Sequence, residues 1–236
     1  MHIHHRKLQS EIDSIIVKDK VLTPRTCTLA FDTTFFGQLS VSLIRDVTNR
    51  ENLIWRFGSS ETKECYEQMY AKLLQANIIP IAIVVDGRSY FFEIFGDVPV
   101  QMCQFHMGKI LARYLTRRPN LEVNKALWKV WYLRAEYNSK SFGYLLQSWY
   151  FKYKKELEEV SEDQNGRRYY VKERTKSAYF SLIRFLPWLF TYQKSKWIPT
   201  TNNSIEGLFG DLKKKINIHP GLSVGRKMKI IHELLK

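Results

Sequence analysis

The feature that most constrains the fold is an unbroken aliphatic run, 81-IAIVV-85, which ends at Asp86. A run without polar alternation is typical of a strand that is buried on both faces of a largely parallel sheet. The preceding segment, 59–77, carries apolar residues at helical spacing, and we expect a helix there, capped by Ser60 and stopped by Pro80. A helix that leads into a doubly buried strand indicates an α/β fold.

Segments upstream of this helix predict an antiparallel meander. They are rich in β-branched and aromatic side chains and comprise residues 27–36, 39–47 and 52–57. Gly37 and Gln38 supply a hairpin turn between the first two strands. Three paired strands, followed by a helix and a doubly buried strand, predict a sheet with both antiparallel and parallel neighbours.

Downstream of the apolar run, the pattern predicts a helical turn at 90–95, a strand at 98–105 and a helix from 107. The resulting order, β-β-β-α-β-α-β-α, is that of a ribonuclease H-like core. The following segment is helical and aromatic, with a polar break at 161–168. We therefore predict an α/β fold, a ribonuclease H-like mixed sheet core with a large all-α insertion before the last helices. The predicted organisation is an N-terminal extension at 1–25, a first core part at 26–106, an α-helical insertion at 107–199 and a last core part at 200–236.

The chain is strongly basic. Its 37 Lys and Arg residues against 23 Asp and Glu residues give a formal net charge of +14. Such an excess favours a polyanionic partner, because phosphates that are neutralised by Lys and Arg release condensed counterions. No apolar run approaches the roughly 20 residues that span a bilayer, and the three cysteines lie far apart in sequence. We expect a cytoplasmic, nucleoid-associated protein that binds nucleic acid, with a solvated basic surface as the alternative.

Three acidic residues occupy positions at which such a sheet could bind metal. Asp32 lies within a predicted strand beside Phe31, where a buried carboxylate is costly unless a cation or hydrogen-bond donors meet it. Asp86 follows a buried strand at its carboxyl end, where α/β sheets bind ligands. Glu206 lies in the first turn of a predicted helix after 200-TTNN-203. Taken singly, Asp86 also fits a turn and Glu206 a helix cap; the three positions together favour a site.

In a ribonuclease H-like sheet the first and fourth strands are parallel neighbours, so Asp32 and Asp86 should lie side by side. A late helix should then bring Glu206 against them. Three converging carboxylates cannot all stay ionised without cations, and they suit Mg²⁺ or Mn²⁺. We predict two ions, which would support an in-line phosphoryl displacement on DNA.

Four ordered motifs resemble the DDE transposases of bacterial insertion sequences, of the Mutator-like type. They are AFDTTFFG around Asp32, VVDGR around Asp86, CQFH at Cys103–His106, and TTNNSIEGLFGDLKKK around Glu206. The resemblance implies metal-dependent DNA strand cleavage and strand transfer at insertion-sequence ends. It implies DNA partners in the form of terminal inverted repeats and target DNA, and we expect a homodimer on that DNA. It also implies that the helical insertion contacts transposon-end DNA.

Cys103 and His106 form a Cys-x-x-His pair that by itself resembles half of a zinc site. A structural zinc needs four ligands, and the sequence offers no matching second pair. Two interpretations stay open. Either Cys103 is a buried structural residue, or both residues belong to the catalytic set, with His106 contacting the scissile phosphate or orienting a neighbour.

Basic residues after Glu206 are the predicted DNA contacts, namely Lys213, Lys214, Lys215, Arg226 and Lys227. Family members usually carry an N-terminal helix-turn-helix or zinc-ribbon domain, which we do not find in this sequence. We therefore expect a truncated transposase, with residues 1–25 as the remnant of an end-binding domain. A non-catalytic DNA-binding remnant is the alternative function. Another ribonuclease H-like nuclease is less favoured, because of the Cys-x-x-His pair and the long insertion.

Overall fold

The computed structural model describes residues 9–236, which fall into two compact units. The first unit runs to Pro99 and resumes at Asn202–Lys236, and the second unit is Val100–Thr201. Residues 1–8, the start of the predicted N-terminal extension, lie outside the described residues. The second unit begins at Val100 and so contains residues 100–106, which the sequence analysis assigned to the core.

A mixed sheet forms the centre of the first unit. Its strands are β1 (Arg25–Phe36), β2 (Leu39–Asp46), β3 (Glu51–Gly58) and β4 (Ile78–Val85), in the spatial order β3-β2-β1-β4. β1 pairs with β2 antiparallel, β2 with β3 antiparallel, and β1 with β4 parallel. The predicted meander and the predicted parallel strand are therefore confirmed, and the chain has a mixed α/β fold.

Local turn chemistry explains the hairpin between β1 and β2. Gly37 adopts a φ of 69°, a left-handed conformation that a glycine reaches without the clash of a side chain. The predicted turn at Gly37 and Gln38 is confirmed, and it sets the register in which Asp32 lies opposite Leu43.

Helix α1 (Lys63–Gln75) begins later than the sequence predicts. Its cap is Thr62, whose hydroxyl accepts the N–H of Cys65 at 3.2 Å, so the assignment of the cap to Ser60 was wrong. The helix ends at Gln75 and the chain turns through Asn77, whose φ is 57°. Pro80 lies inside β4 and does not stop the helix.

An aromatic cluster joins α1 to the sheet. Phe31 of β1 is fully buried, and its ring centroid lies 5.7 Å from that of Tyr66 and 4.9 Å from that of Phe95. Short helix α2 (Phe91–Ile94) adds Phe91 to this cluster. Because successive side chains of a strand point to opposite faces, Phe31 on this face places Asp32 on the other.

Two helices complete the first unit after Asn202. They are α7 (Asn203–Asn217), which contacts β1, and α8 (Val224–Leu235), which contacts β3. Helix α7 is the helix predicted after 200-TTNN-203, and that prediction is confirmed. Helix α8 is attached to the sheet by Trp55 of β3, which donates its indole N–H to Nδ1 of His232 at 3.2 Å.

The second unit is mainly helical. It contains β5 (Val100–Met102), α3 (Gln104–Leu115), α4 (Glu122–Tyr132), α5 (Ser139–Leu157), β6 (Val160–Glu162), β7 (Arg168–Tyr170) and α6 (Glu173–Leu189), with 3₁₀ turns at Leu133–Glu136 and Thr191–Lys194. The strand predicted at 98–105 is therefore shorter, and the helix predicted from 107 begins earlier. Trp149 is buried in the core of this unit and its ring stacks on that of Tyr179, with centroids 5.5 Å apart.

The prediction of an all-α insertion was wrong at the polar segment 161–168. This segment joins β6 and β7 in an antiparallel hairpin, in which Val160 pairs with Tyr170. A carboxylate oxygen of Asp163 accepts the backbone N–H of Arg167 at 2.9 Å, and Gly166 has a φ of 76°. The polar residues that indicated a break between helices are thus the residues that close a hairpin loop.

Candidate metal centre

The ends of two parallel strands bring together two of the predicted site residues. Ala30 of β1 pairs with Val84 of β4. Asp32 and Asp86 each follow two residues later, so both lie at the same edge of the sheet, and the charge of Asp86 acts on the carboxyl of Asp32. The strand pairing therefore makes the two aspartates neighbours, although they are far apart in sequence.

Helix α7 brings a second carboxylate to Asp32. A carboxylate oxygen of Asp32 and one of Glu206 lie within 4.8 Å of each other. Glu206 occupies the first turn of α7, and Asn202 is the N-cap residue of that helix. The side-chain amide of Asn202 donates to Asp32 Oδ2 at 3.4 Å. The other oxygen of Asp32 accepts the backbone N–H of Thr33 at 2.9 Å. The start of α7 thus supplies both a hydrogen-bond donor and an acid to the strand.

Burial and neighbouring acids act strongly on Asp32. Asp32 is only 9% exposed. Burial, then the charges of Asp86 and of Glu206, raise the pKa of Asp32 from 3.8 to about 7, although the Thr33 N–H opposes the shift. A nearby cation would reverse this repulsion, so the arrangement favours the ionised carboxylate only when positive charge is present.

Asp86 is more accessible than Asp32 and already has a basic neighbour. Its Oδ1 accepts the backbone N–H of Arg88 at 3.0 Å, and its Oδ2 lies 3.6 Å from the Arg88 Nε. Its side chain is about one-fifth exposed, at 19%. Asp86 is therefore placed where a ligand from solvent could reach it.

Glu61 is an acid at this site that the sequence analysis missed. Its carboxylate is buried, accepts hydrogen bonds from the hydroxyls of Tyr66 at 3.1 Å and Tyr90 at 3.4 Å, and pairs with Arg88. Burial, followed by the charge of Asp86, raises the pKa of Glu61, and the charge of Arg88 opposes that shift. Glu61 directly precedes the cap of α1, and an acid at a helix start is too common a pattern to signal a site.

The carboxylates at this edge suit a hard divalent cation. Asp32 and Glu206 offer oxygens within 4.8 Å of each other, and Asp86 adds a carboxylate whose charge acts on Asp32. Carboxylate oxygens are the ligands that Mg²⁺ and Mn²⁺ prefer. The carboxyl of Asp32 is buried and lies near other acidic groups, so its ionisation is costly. A bound cation would remove that cost, which is the physical reason to expect one here.

Cys103 and His106 belong to the second unit. Cys103 is buried and directly precedes α3, while His106 lies in the first turn of that helix and is half-buried. The burial of Cys103 agrees with a structural residue, and the catalytic role of the pair stays a prediction.

The predicted DNA contacts differ in their surroundings. Lys213, Lys214 and Lys215 are exposed on α7. Arg226 instead pairs with Asp13 through two hydrogen bonds, of 2.9 Å from Nε and 2.7 Å from Nη2. Arg226 is thus already engaged within the chain, and the neighbouring Lys227 is only partly exposed.

Comparison with known proteins gives no further assignment. No protein-family model matches this chain, and no curated protein matches it significantly. Within residues 9–236, no helix has the length and apolar character that crossing a membrane requires.

Proposed function

We propose that the first unit is a ribonuclease H-like catalytic domain of the DDE transposase type, which cleaves and transfers DNA strands with the help of Mg²⁺ or Mn²⁺. The observation that carries the proposal is the approach of Asp32 and Glu206, within 4.8 Å, at the edge where β1 and β4 run parallel. Asp86 directly follows β4 at the same edge. The strand order β3-β2-β1-β4 supports the core that the sequence predicts.

Each residue of the site has a distinct part in this proposal. Asp32, Asp86 and Glu206 would hold the cations. Bound Mg²⁺ or Mn²⁺ would activate a water or a DNA 3′-hydroxyl as the nucleophile and would stabilise the leaving oxygen of the phosphodiester. Asn202 and the backbone of Thr33 each donate to one oxygen of Asp32 and so fix the orientation of its carboxylate.

Exposed positive charge supports a DNA partner. Lys213–Lys215 are on the same helix as Glu206, so phosphates that they bind would lie close to the carboxylates. The second unit also exposes basic residues around the ends of α3 and β7, namely Arg117, Arg118, Arg167 and Arg168. These charges act on any polyanion, and DNA is the one that strand transfer requires.

The proposal is tested with the full chain, supercoiled plasmid and a labelled duplex with a free 3′-hydroxyl. In Mg²⁺ or Mn²⁺ we expect plasmid nicking and covalent joining of the duplex, both abolished by EDTA. Asp32→Asn and Asp86→Asn should lose both reactions, whereas Asp97→Asn, an exposed aspartate of the same unit, should keep them. DNA binding without metal-dependent cleavage would instead identify a non-catalytic DNA-binding remnant.

A further inference from the structure

A chain of hydrogen bonds leads from Asp32 to Glu61. The Thr33 N–H donates to Asp32 at 2.9 Å, and the Thr33 hydroxyl lies 2.6 Å from the hydroxyl of Tyr66. Tyr66 in turn donates to Glu61 Oε1 at 3.1 Å. The buried Glu61 is thereby linked through Tyr66 and Thr33 to the carboxylate of Asp32.

Arg88 connects Glu61 to the second strand-end carboxylate. Its Nη2 lies 2.5 Å from Glu61 Oε2, whereas its Nε lies 3.6 Å from Asp86 Oδ2. The Glu61 side chain is 5% exposed, so this is also the more buried of the two contacts and is less screened by solvent. The guanidinium therefore makes its short contact with Glu61 and only a long one with Asp86.

We propose that Glu61 is a positioning residue that holds Arg88 back from Asp86 and so keeps Asp86 available to a divalent cation. This inference rests on the proposed cation site of Asp32, Asp86 and Glu206. A guanidinium in full contact with Asp86 would compete for the same oxygens as the cation. Glu61 binds the terminal Nη2 of Arg88 and so limits that competition. The negative charge of Glu61 also adds to the potential that attracts the cation.

Removal of Glu61 and removal of Arg88 should therefore change cation affinity in opposite directions. Glu61→Gln deletes a negative charge and releases Arg88 towards Asp86, so Mn²⁺ should bind about fivefold more weakly or worse. Arg88→Gln deletes the competing positive charge, so Mn²⁺ should bind more tightly by a similar factor, about fivefold. The double variant keeps the net charge, and its affinity should return to within about threefold of the parent protein.

The experiment is a calorimetric titration of the full chain with Mn²⁺ alone, with circular dichroism to establish that each variant is folded. Glu64→Gln is the matched control, because Glu64 is exposed in the first turn of α1, close in sequence to Glu61. It should leave the Mn²⁺ affinity unchanged.

Opposite shifts in the two single variants support the proposal. Equal weakening in both, or no change in either, would mean that the pair only stabilises the fold and would overturn it. Weaker binding by a folded Arg88→Gln protein overturns it even if Glu61→Gln fails to fold. If the parent protein binds no Mn²⁺, the proposed cation site fails together with this inference. If it binds Mn²⁺ without the opposite shifts, this inference alone fails.

Discussion

Asp32 and Glu206 come from the first strand and the penultimate helix, yet their carboxylate oxygens approach within 4.8 Å. Two acids at this separation, one of them buried, repel each other unless a proton or a cation lies near. Protonation or cation binding at this position should therefore change the stability of the folded protein.

Asp32 should make the metal-free protein less stable as pH rises. Its folded pKa is about 7 and its ordinary value is 3.8, so the folded protein holds a proton that the unfolded chain has lost. The contribution of Asp32 to the free energy of unfolding should fall between about pH 4 and pH 7, by up to about 4 kcal/mol. The measurement is urea unfolding in EDTA. The gain in the free energy of unfolding that Asp32→Asn gives over the parent protein should be larger at pH 8 than at pH 4. A pH-independent difference between the two proteins would contradict this prediction.

Cation binding should offset the same penalty. Saturating Mn²⁺ should raise the melting temperature at pH 8, because a ligand that binds only the folded state stabilises it. The increase should be smaller at pH 5, where Asp32 is largely protonated in the absence of metal. Differential scanning fluorimetry at each pH measures the melting temperature with Mn²⁺ and in a metal-free reference buffer that contains EDTA. An equal increase at the two pH values would argue against Asp32 as a ligand.

Glu206 and Asp211 are a matched pair on α7. Glu206 approaches Asp32, whereas the side chain of Asp211 is 69% exposed and pairs with Lys214. Glu206→Gln should weaken Mn²⁺ binding by roughly tenfold or more, because it removes a carboxylate ligand. Asp211→Asn should bind Mn²⁺ like the parent protein in the same titration. Equal losses in both variants would indicate a general effect of charge on α7.

Lys213–Lys215 should contribute to DNA affinity through charge alone. Replacing all three with Gln should lower the slope of log K against log salt by up to about 2.7, since each lost phosphate contact removes about 0.9. Fluorescence anisotropy of a labelled duplex at several salt concentrations gives that slope. The control replaces three other exposed lysines of the first unit with Gln, namely Lys18, Lys72 and Lys236. An unchanged slope in the α7 variant would exclude these lysines as phosphate contacts.

Leu73 and Leu74 test the packing of α1 against the sheet. Leu73 is fully buried, while the adjacent Leu74 is 46% exposed. Leu73→Ala should lower the free energy of unfolding by about 2–5 kcal/mol, because it leaves a cavity. Leu74→Ala should cost less than about 1 kcal/mol. Urea unfolding of the two variants at one pH compares them directly, and similar losses would contradict the observed orientation of α1.

Much of the first unit follows from local sequence. Alternation and β-branched residues predict β1, β2 and β3, and the unbroken apolar run predicts β4. These predictions succeed because the apolar pattern of a strand shows which of its faces are buried. The parallel pairing of β1 with β4 then accounts for the proximity of Asp32 and Asp86. Errors at helix ends have a local cause, since Thr62 and Ser60 are both acceptable caps and only the backbone conformation selects one.

Tertiary structure decided the features that depend on partners distant in sequence. Glu61 resembles an ordinary acid at a helix start until its contacts with Arg88 and Tyr66 are known. Arg226 belongs to a basic run, yet Asp13 pairs with it. Sequence periodicity determines which elements form and which faces they bury. The charge that each polar side chain meets depends on long-range packing, which no local pattern encodes.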